Sequence, residues 1–129
     1  MHKNNILIVD DDLEFCCLLE DVLSNIGYRI EKSLNGTDAL KKLEDSKFDL
    51  VITDKNMPDI GGIELISAIK KKYPSTPVIM ATAFGDSISS LSALKHGAFE
   101  YITKPVRMSV LVESIQKALK DPKKEAQNR

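Results

Sequence analysis

An α/β fold built on one parallel sheet with helices on both faces follows from the way this sequence is patterned. Short apolar runs alternate with amphipathic stretches five times, and each run breaks off at a loop. Parallel neighbours need a long crossover, normally a helix, so repeated strand-then-helix units favour a parallel sheet. The first, third and fourth runs are apolar at consecutive positions, as strands covered on both faces would be, and are expected at the centre. A chain of 129 residues suffices for one such domain with a single core.

The first strand is Ile6-Leu7-Ile8-Val9. Its helix carries Phe15, Leu18, Leu19, Val22, Leu23 and Ile26 at the spacing of one buried face, and Gly27 stands where a left-handed cap belongs. Tyr28 to Ser33 alternates apolar with charged residues and reads as a strand near the sheet edge. Asn35-Gly36-Thr37 starts a second helix with Ala39, Leu40 and Leu43. The third strand is Leu50 to Thr53, followed by a helix from about Gly62 to Tyr73, with Pro74 and Pro77 bracketing the exit. Val78 to Ala81 is the fourth strand, and its helix, with Ile88, Leu91 and Leu94, ends at Gly97. Glu100 to Thr103 is the fifth, and its helix carries Met108, Leu111, Val112, Ile115 and Leu119. Residues 1–120 form the expected domain, and 121–129, without an apolar anchor, a polar tail or the start of a linker.

Composition narrows the function. Lysine and arginine number 18 against 19 aspartates and glutamates, a net charge of −1, so the basic surplus of a nucleic-acid-binding surface is missing. The run Ile6–Val9 is far too short to cross a bilayer, which takes about 20 apolar residues, and the opening residues read as no secretory leader. Cys16 and Cys17 are neighbours, which suits neither a disulfide framework nor a metal site, and they read as helix hydrophobes in a reducing cytoplasm. His2 and His96 have no metal-ligand company, and the lysine runs at 70–72 and 123–124 read as solvated charge.

Open parallel sheets bind ligands beyond the carboxyl ends of their strands. At those ends stand Asp10-Asp11-Asp12, Asp54, Thr82 and Lys104-Pro105. Crowded carboxylates repel one another unless a cation neutralises them, and a hard divalent ion with oxygen ligands is the natural partner. A lysine at the same rim offers a point charge to a phosphate. Asp12 serves equally as a plain cap for the first helix. Asp54, placed directly after a buried strand, is costly unless it works or is well paired.

The motifs Ile6-Leu7-Ile8-Val9-Asp10-Asp11, Val51-Ile52-Thr53-Asp54-Lys55-Asn56-Met57-Pro58, Ala81-Thr82-Ala83 and Tyr101-Ile102-Thr103-Lys104-Pro105 occur together in this order. In them the sequence resembles the receiver domain of bacterial two-component response regulators, over about Asn5 to Lys120. The resemblance implies a flavodoxin-like sheet in strand order 2-1-3-4-5, which sets the first strand beside the third. It implies that Asp54 accepts a phosphoryl group from the phosphohistidine of a sensor histidine kinase or phosphotransfer protein. Mg²⁺ is the implied cofactor, bound by Asp11 and Asp54, by Asp10 largely through water, and by the Asn56 backbone carbonyl. Lys104 is expected to pair with Asp54 and then with the phosphoryl oxygens, and Thr82 to move onto the phosphate. Tyr101 is similar to an aromatic switch that turns inward behind Thr82, and the peptide between Lys104 and Pro105 is expected to be cis. The implied output is a change in the face of the fourth helix, fifth strand and fifth helix. That face would engage an effector domain, an effector protein or a second copy. Neither direct nucleic-acid binding by this domain nor a membrane role is expected.

The resemblance is not uniform. Ile60-Gly61-Gly62 stands where many members have an aspartate before the glycine. Ala98-Phe99-Glu100-Tyr101 is more similar to the group that regulates a downstream ATPase. The resemblance places Asn56 and Phe84 around the path of a hydrolytic water, and apolar bulk at Phe84 is expected to prolong the phosphoryl group's life. Two other classes compete. A haloacid-dehalogenase-type phosphohydrolase would carry its nucleophile after the first strand and add a cap, and a flavin or nucleotide carrier would need a Gly/Ser/Thr-rich phosphate loop in place of Asp10-Asp11-Asp12.

Overall fold

The computed structural model describes residues 4–83 and 87–120, with the backbone alone at 87–89. Its elements run β1 (Asn5–Val9), α1 (Leu13–Ile26), β2 (Arg29–Ser33), α2 (Gly36–Asp45), β3 (Leu50–Thr53), α3 (Gly62–Lys72), β4 (Val78–Thr82), α4 (Ser87–Lys95), β5 (Glu100–Thr103) and α5 (Met108–Leu119). All strand pairs are parallel and the order is β2-β1-β3-β4-β5, as expected. The tail at 121–129 and Phe84 lie outside the described residues.

Side-chain parity along the strands divides the core in two. Ile6 and Ile8 of β1, Leu50 and Ile52 of β3 and Ile79 and Ala81 of β4 face Cys16, Leu19 and Leu23 of α1 and Leu111, Ile115 and Ala118 of α5. Leu7, Val9, Val51, Val78 and Met80 face Ala39 and Leu43 of α2, Leu65, Ile66 and Ile69 of α3 and Ala93 of α4. The central strands are thus buried on both sides, which is why they read as unbroken apolar runs. Edge strand β2 keeps Arg29 and Glu31 exposed and buries Ser33.

Local signals set the helix ends. Asp12 has extended backbone, and its side chain accepts from the Phe15 N–H at 3.2 Å, the bond of an N-cap. Asn35 does the same for α2, accepting from the Asp38 N–H at 2.8 Å. Gly27 ends α1 at φ 119°, in the left-handed region that glycine enters without cost. Helix α3 stops at Lys72, with Tyr73 as its cap, one residue short of the expected end. No helix among the described residues is long and apolar enough to cross a membrane.

Candidate functional site

The parallel register brings the acidic strand ends together. Val9 of β1 pairs with Thr53 of β3, so Asp10 and Asp54 follow at matched positions. Asp54 donates its N–H to the Val9 carbonyl at 3.0 Å, and Asp10 donates to the Ser33 carbonyl at 3.0 Å. Both backbones are therefore fixed by ladder bonds that continue past the strands. Asp10, Asp11 and Asp54 each offer a carboxylate oxygen to one point, with all of these atoms within 4.8 Å of one another. Asp10 and Asp54 are buried and Asp11 is exposed, leaving the cluster open on one side. Asp12 is spent on the α1 cap.

Lys104 enters from β5. Its N–H donates to the Thr82 carbonyl at 2.8 Å, which ties the end of β5 to that of β4. Its ammonium donates to Asp10 Oδ2 at 2.8 Å and lies 4.1 Å from the centre of the Phe15 ring. Sequence reasoning expected this lysine on Asp54; in the structure it sits on Asp10. The side chain of Asp10 is 2% exposed, and a counter-ion is worth most where a carboxylate is most deeply desolvated. Asp10 Oδ1 also accepts from the Asp12 N–H at 2.9 Å. Burial still pushes the Asp10 carboxyl above the ordinary range, against the pull of Lys104 and the Asp12 N–H, and neighbouring Asp54 adds to the rise.

Asp54 is different. Its Oδ1 is buried with no hydrogen-bond partner. A buried carboxylate oxygen without a donor is unfavourable, and beside two further carboxylates a cation satisfies it where a neutral donor would not. The set fits a hard divalent ion such as Mg²⁺, which takes one or two carboxylates and keeps open positions for water and phosphate.

The remaining predicted residues lie on β4, on β5 and in the loop after β3. Thr82 is fully buried at the end of β4, Asn56 is exposed in the loop after β3, and Tyr101 is half-buried and packs against the α2–α3–α4 side of the core. The Lys104-Pro105 peptide is cis, as expected.

Three features escaped the sequence. Phe15, read there only as part of a buried helix face, stacks on the Lys104 ammonium. Asp59 accepts from the N–H groups of Gly36 at 3.0 Å, Thr37 at 2.9 Å and Ile60 at 2.7 Å, and so joins the loop after β3 to the start of α2. Gly62 presses the start of α3 onto the Asp54–Lys55 backbone. Spacing alone signals none of them, because each depends on a contact made only once the chain has folded.

Comparison with known proteins agrees with this architecture. Residues 6–116 match the profile of the response regulator receiver domain. The transcriptional regulatory protein ZraR of Salmonella typhimurium is 38% identical over 117 residues, 91% of this chain and 26% of that protein. The response regulator protein PilR of Pseudomonas aeruginosa is 38% identical over 120 residues, 93% of this chain and 27% of that protein. The chain thus spans about a quarter of the length of these curated relatives. Among solved structures, a CheY-like receiver domain from Methanospirillum hungatei superposes with a TM-score of 0.91 at 34% identity, covering 96% of this chain and 99% of that one. TrrA from Thermotoga maritima, solved in complex with Mg²⁺ and BeF, gives 0.81 at 37% identity over 89% of this chain and 98% of that one. With the phosphohydrolase and nucleotide-carrier readings set aside by these matches, the chain belongs to the receiver domains of two-component response regulators, the phosphoacceptor switches of that signalling system.

Proposed function

We propose that the Asp54 carboxylate accepts the phosphoryl group, from the phosphohistidine of a sensor histidine kinase or of a phosphotransfer protein, with Mg²⁺ as cofactor. The observation that carries this reading is the buried, unpartnered Asp54 Oδ1 within a cluster of three carboxylates. Asp11 and Asp54 would hold the metal directly, Asp10 largely through water, and the Asn56 carbonyl would add a ligand. Once bound, Mg²⁺ supplies positive charge against the phosphoryl oxygens. An Asp54 oxygen attacks phosphorus as the bond to the imidazole nitrogen breaks. Lys104 then leaves Asp10 for a phosphoryl oxygen, and the Thr82 hydroxyl takes another. Tyr101 then turns inward behind Thr82. The chain so catalyses its own phosphorylation and dephosphorylation and turns over no separate substrate.

Phosphorylation changes the face of α4, β5 and α5, which engages an output domain, an output protein or a second copy. The working compartment is the cytoplasm, where the kinase's phosphohistidine is presented. The near-neutral net charge supports leaving nucleic-acid contact to other parts of a longer regulator. Residues 1–120 make up the switch, and 121–129 a polar tail or the start of a linker.

Incubation with a small-molecule phosphodonor and Mg²⁺, read by intact mass, tests the assignment. The parent should gain one phosphoryl group, and neither Asp54→Asn nor the parent without Mg²⁺ should do so. Equal labelling of Asp54→Asn and parent would refute the acceptor.

A further inference from the structure

We infer that Phe15 is a positioning residue, which holds the Lys104 ammonium on Asp10 and thereby sets how readily a divalent cation occupies the carboxylate cluster. The inference rests on the reading of that cluster as a Mg²⁺ site.

Lys104 has two partners of different kinds. Asp10 Oδ2 lies 2.8 Å from its nitrogen, and the Phe15 ring centre lies 4.1 Å away, inside the range at which an aromatic quadrupole attracts a cation. The lysine side chain is 19% exposed, so water screens neither contact strongly. Phe15 is itself fixed. It lies in the first turn of α1, where its N–H is bound by the Asp12 cap, and it packs against the α1–α5 side of the core.

This arrangement makes Lys104 an internal cation for the cluster. Its ammonium occupies one oxygen of a carboxylate that belongs to the same three-residue group as Asp11 and Asp54. A divalent ion entering within a few ångströms repels that ammonium and competes with it for Asp10. Whatever stabilises Lys104 on Asp10 therefore opposes metal binding, and the ring does so without touching the metal site. The ring adds to Asp10 in holding the lysine's resting position, and its effect on the metal acts wholly through Lys104.

The test is a calorimetric titration of the whole chain with Mg²⁺ alone, comparing parent, Phe15→Leu and Phe15→Trp. Leucine keeps apolar packing and removes the quadrupole, and should tighten Mg²⁺ binding by about two- to fivefold. Tryptophan, the stronger cation partner, should weaken it relative to the parent. A purely structural role for Phe15 would not move these two variants in opposite directions. Proton NMR gives a second readout: the ring should shift the Lys104 ε-methylene protons upfield in the parent and not in Phe15→Leu. Mg²⁺ bound equally by all three chains, or more weakly by Phe15→Leu, would overturn the inference while leaving the metal site intact. A parent that binds no Mg²⁺ would overturn both together.

Discussion

Gly62 stands so close to Asp54 that a Cβ on the glycine would lie 2.0 Å from the Asp54 carbonyl oxygen and 2.8 Å from the Lys55 Cα. The Gly62 N–H also donates to the Lys55 carbonyl at 2.6 Å. The start of α3 is thus packed directly on the backbone that carries the proposed phosphoacceptor. Because the atoms in conflict are backbone, neither side can move away cheaply. Gly62→Ala should destabilise the fold by about 1–3 kcal/mol, as overpacking does, and slow labelling of Asp54 by displacing it. Urea unfolding and phosphodonor kinetics measure the two effects. An alanine variant as stable and as quickly labelled as the parent would show that the loop yields without cost.

Asp59 acts at the other end of the same loop. The Thr37 hydroxyl first, and then the backbone N–H groups of Thr37, Ile60 and Gly36, hold its carboxyl far below the ordinary carboxylate range. A folded-state value depressed in this way gives stability that is present above the unfolded value of about 4 and lost as pH falls through the folded one. The parent should therefore lose more thermal stability than Asp59→Ala on acidification below about pH 4. At neutral pH the alanine variant should melt at a lower temperature, since three N–H groups lose their acceptor. Parallel melting-temperature curves for the two chains across that acid range would count against this account.

The sheet was legible because side-chain parity and burial write themselves directly into sequence. Ile6 to Val9 and Val78 to Met80 are apolar on successive residues because helices cover both faces, and Arg29 and Glu31 betray the edge. Asp10, Asp54, Thr82 and Lys104 could be found because strand ends in a parallel sheet share one rim. The partner of Lys104 could not, since the choice between Asp10 and Asp54 turns on relative desolvation, which is a property of the packed site. Phe15 has the same helical spacing as a core residue, and its second duty on Lys104 leaves no periodic trace. Asp59 and Gly36 are 23 positions apart, so a cap that crosses between loops shows no local motif.

The adjacent cysteines separate cleanly. Cys16 is fully buried, and burial, reinforced by Asp10, pushes its thiol up to about 11, whereas Cys17 is exposed. Only the thiolate reacts, so a disulfide-exchange reagent at about pH 8 should modify one thiol per native chain and two after unfolding. The folded value of Cys16 lies above the unfolded one. Its contribution to stability is therefore complete below the ordinary thiol range and declines as pH climbs toward 11. Two native equivalents at the rate of a free thiol would contradict the burial of Cys16.

Substituting Thr82 should separate the proposed chemistry of phosphorylation from its transmission. Thr82 is fully buried as the last residue of β4, and the Lys104 N–H bonded to its carbonyl couples it to β5. Its neighbour in register is Thr103, two residues beyond Tyr101 on the same strand. In the proposed switch a phosphate on Asp54 would add strong acceptor oxygens at the rim, and a hydroxyl drawn toward them would leave its former place for Tyr101 to fill. Removing the hydroxyl leaves Asp54, the carboxylate cluster and Lys104 in place, so Thr82→Ala should still gain one phosphoryl group. What it should lose is the population shift in α4, β5 and α5, because the differential contact that favours the second state is gone. Amide chemical-shift changes on phosphorylation should then stay near Asp54 in Thr82→Ala and extend to Tyr101 and α5 in the parent. The same far-reaching changes in both chains would mean that Lys104 alone carries the signal along β5.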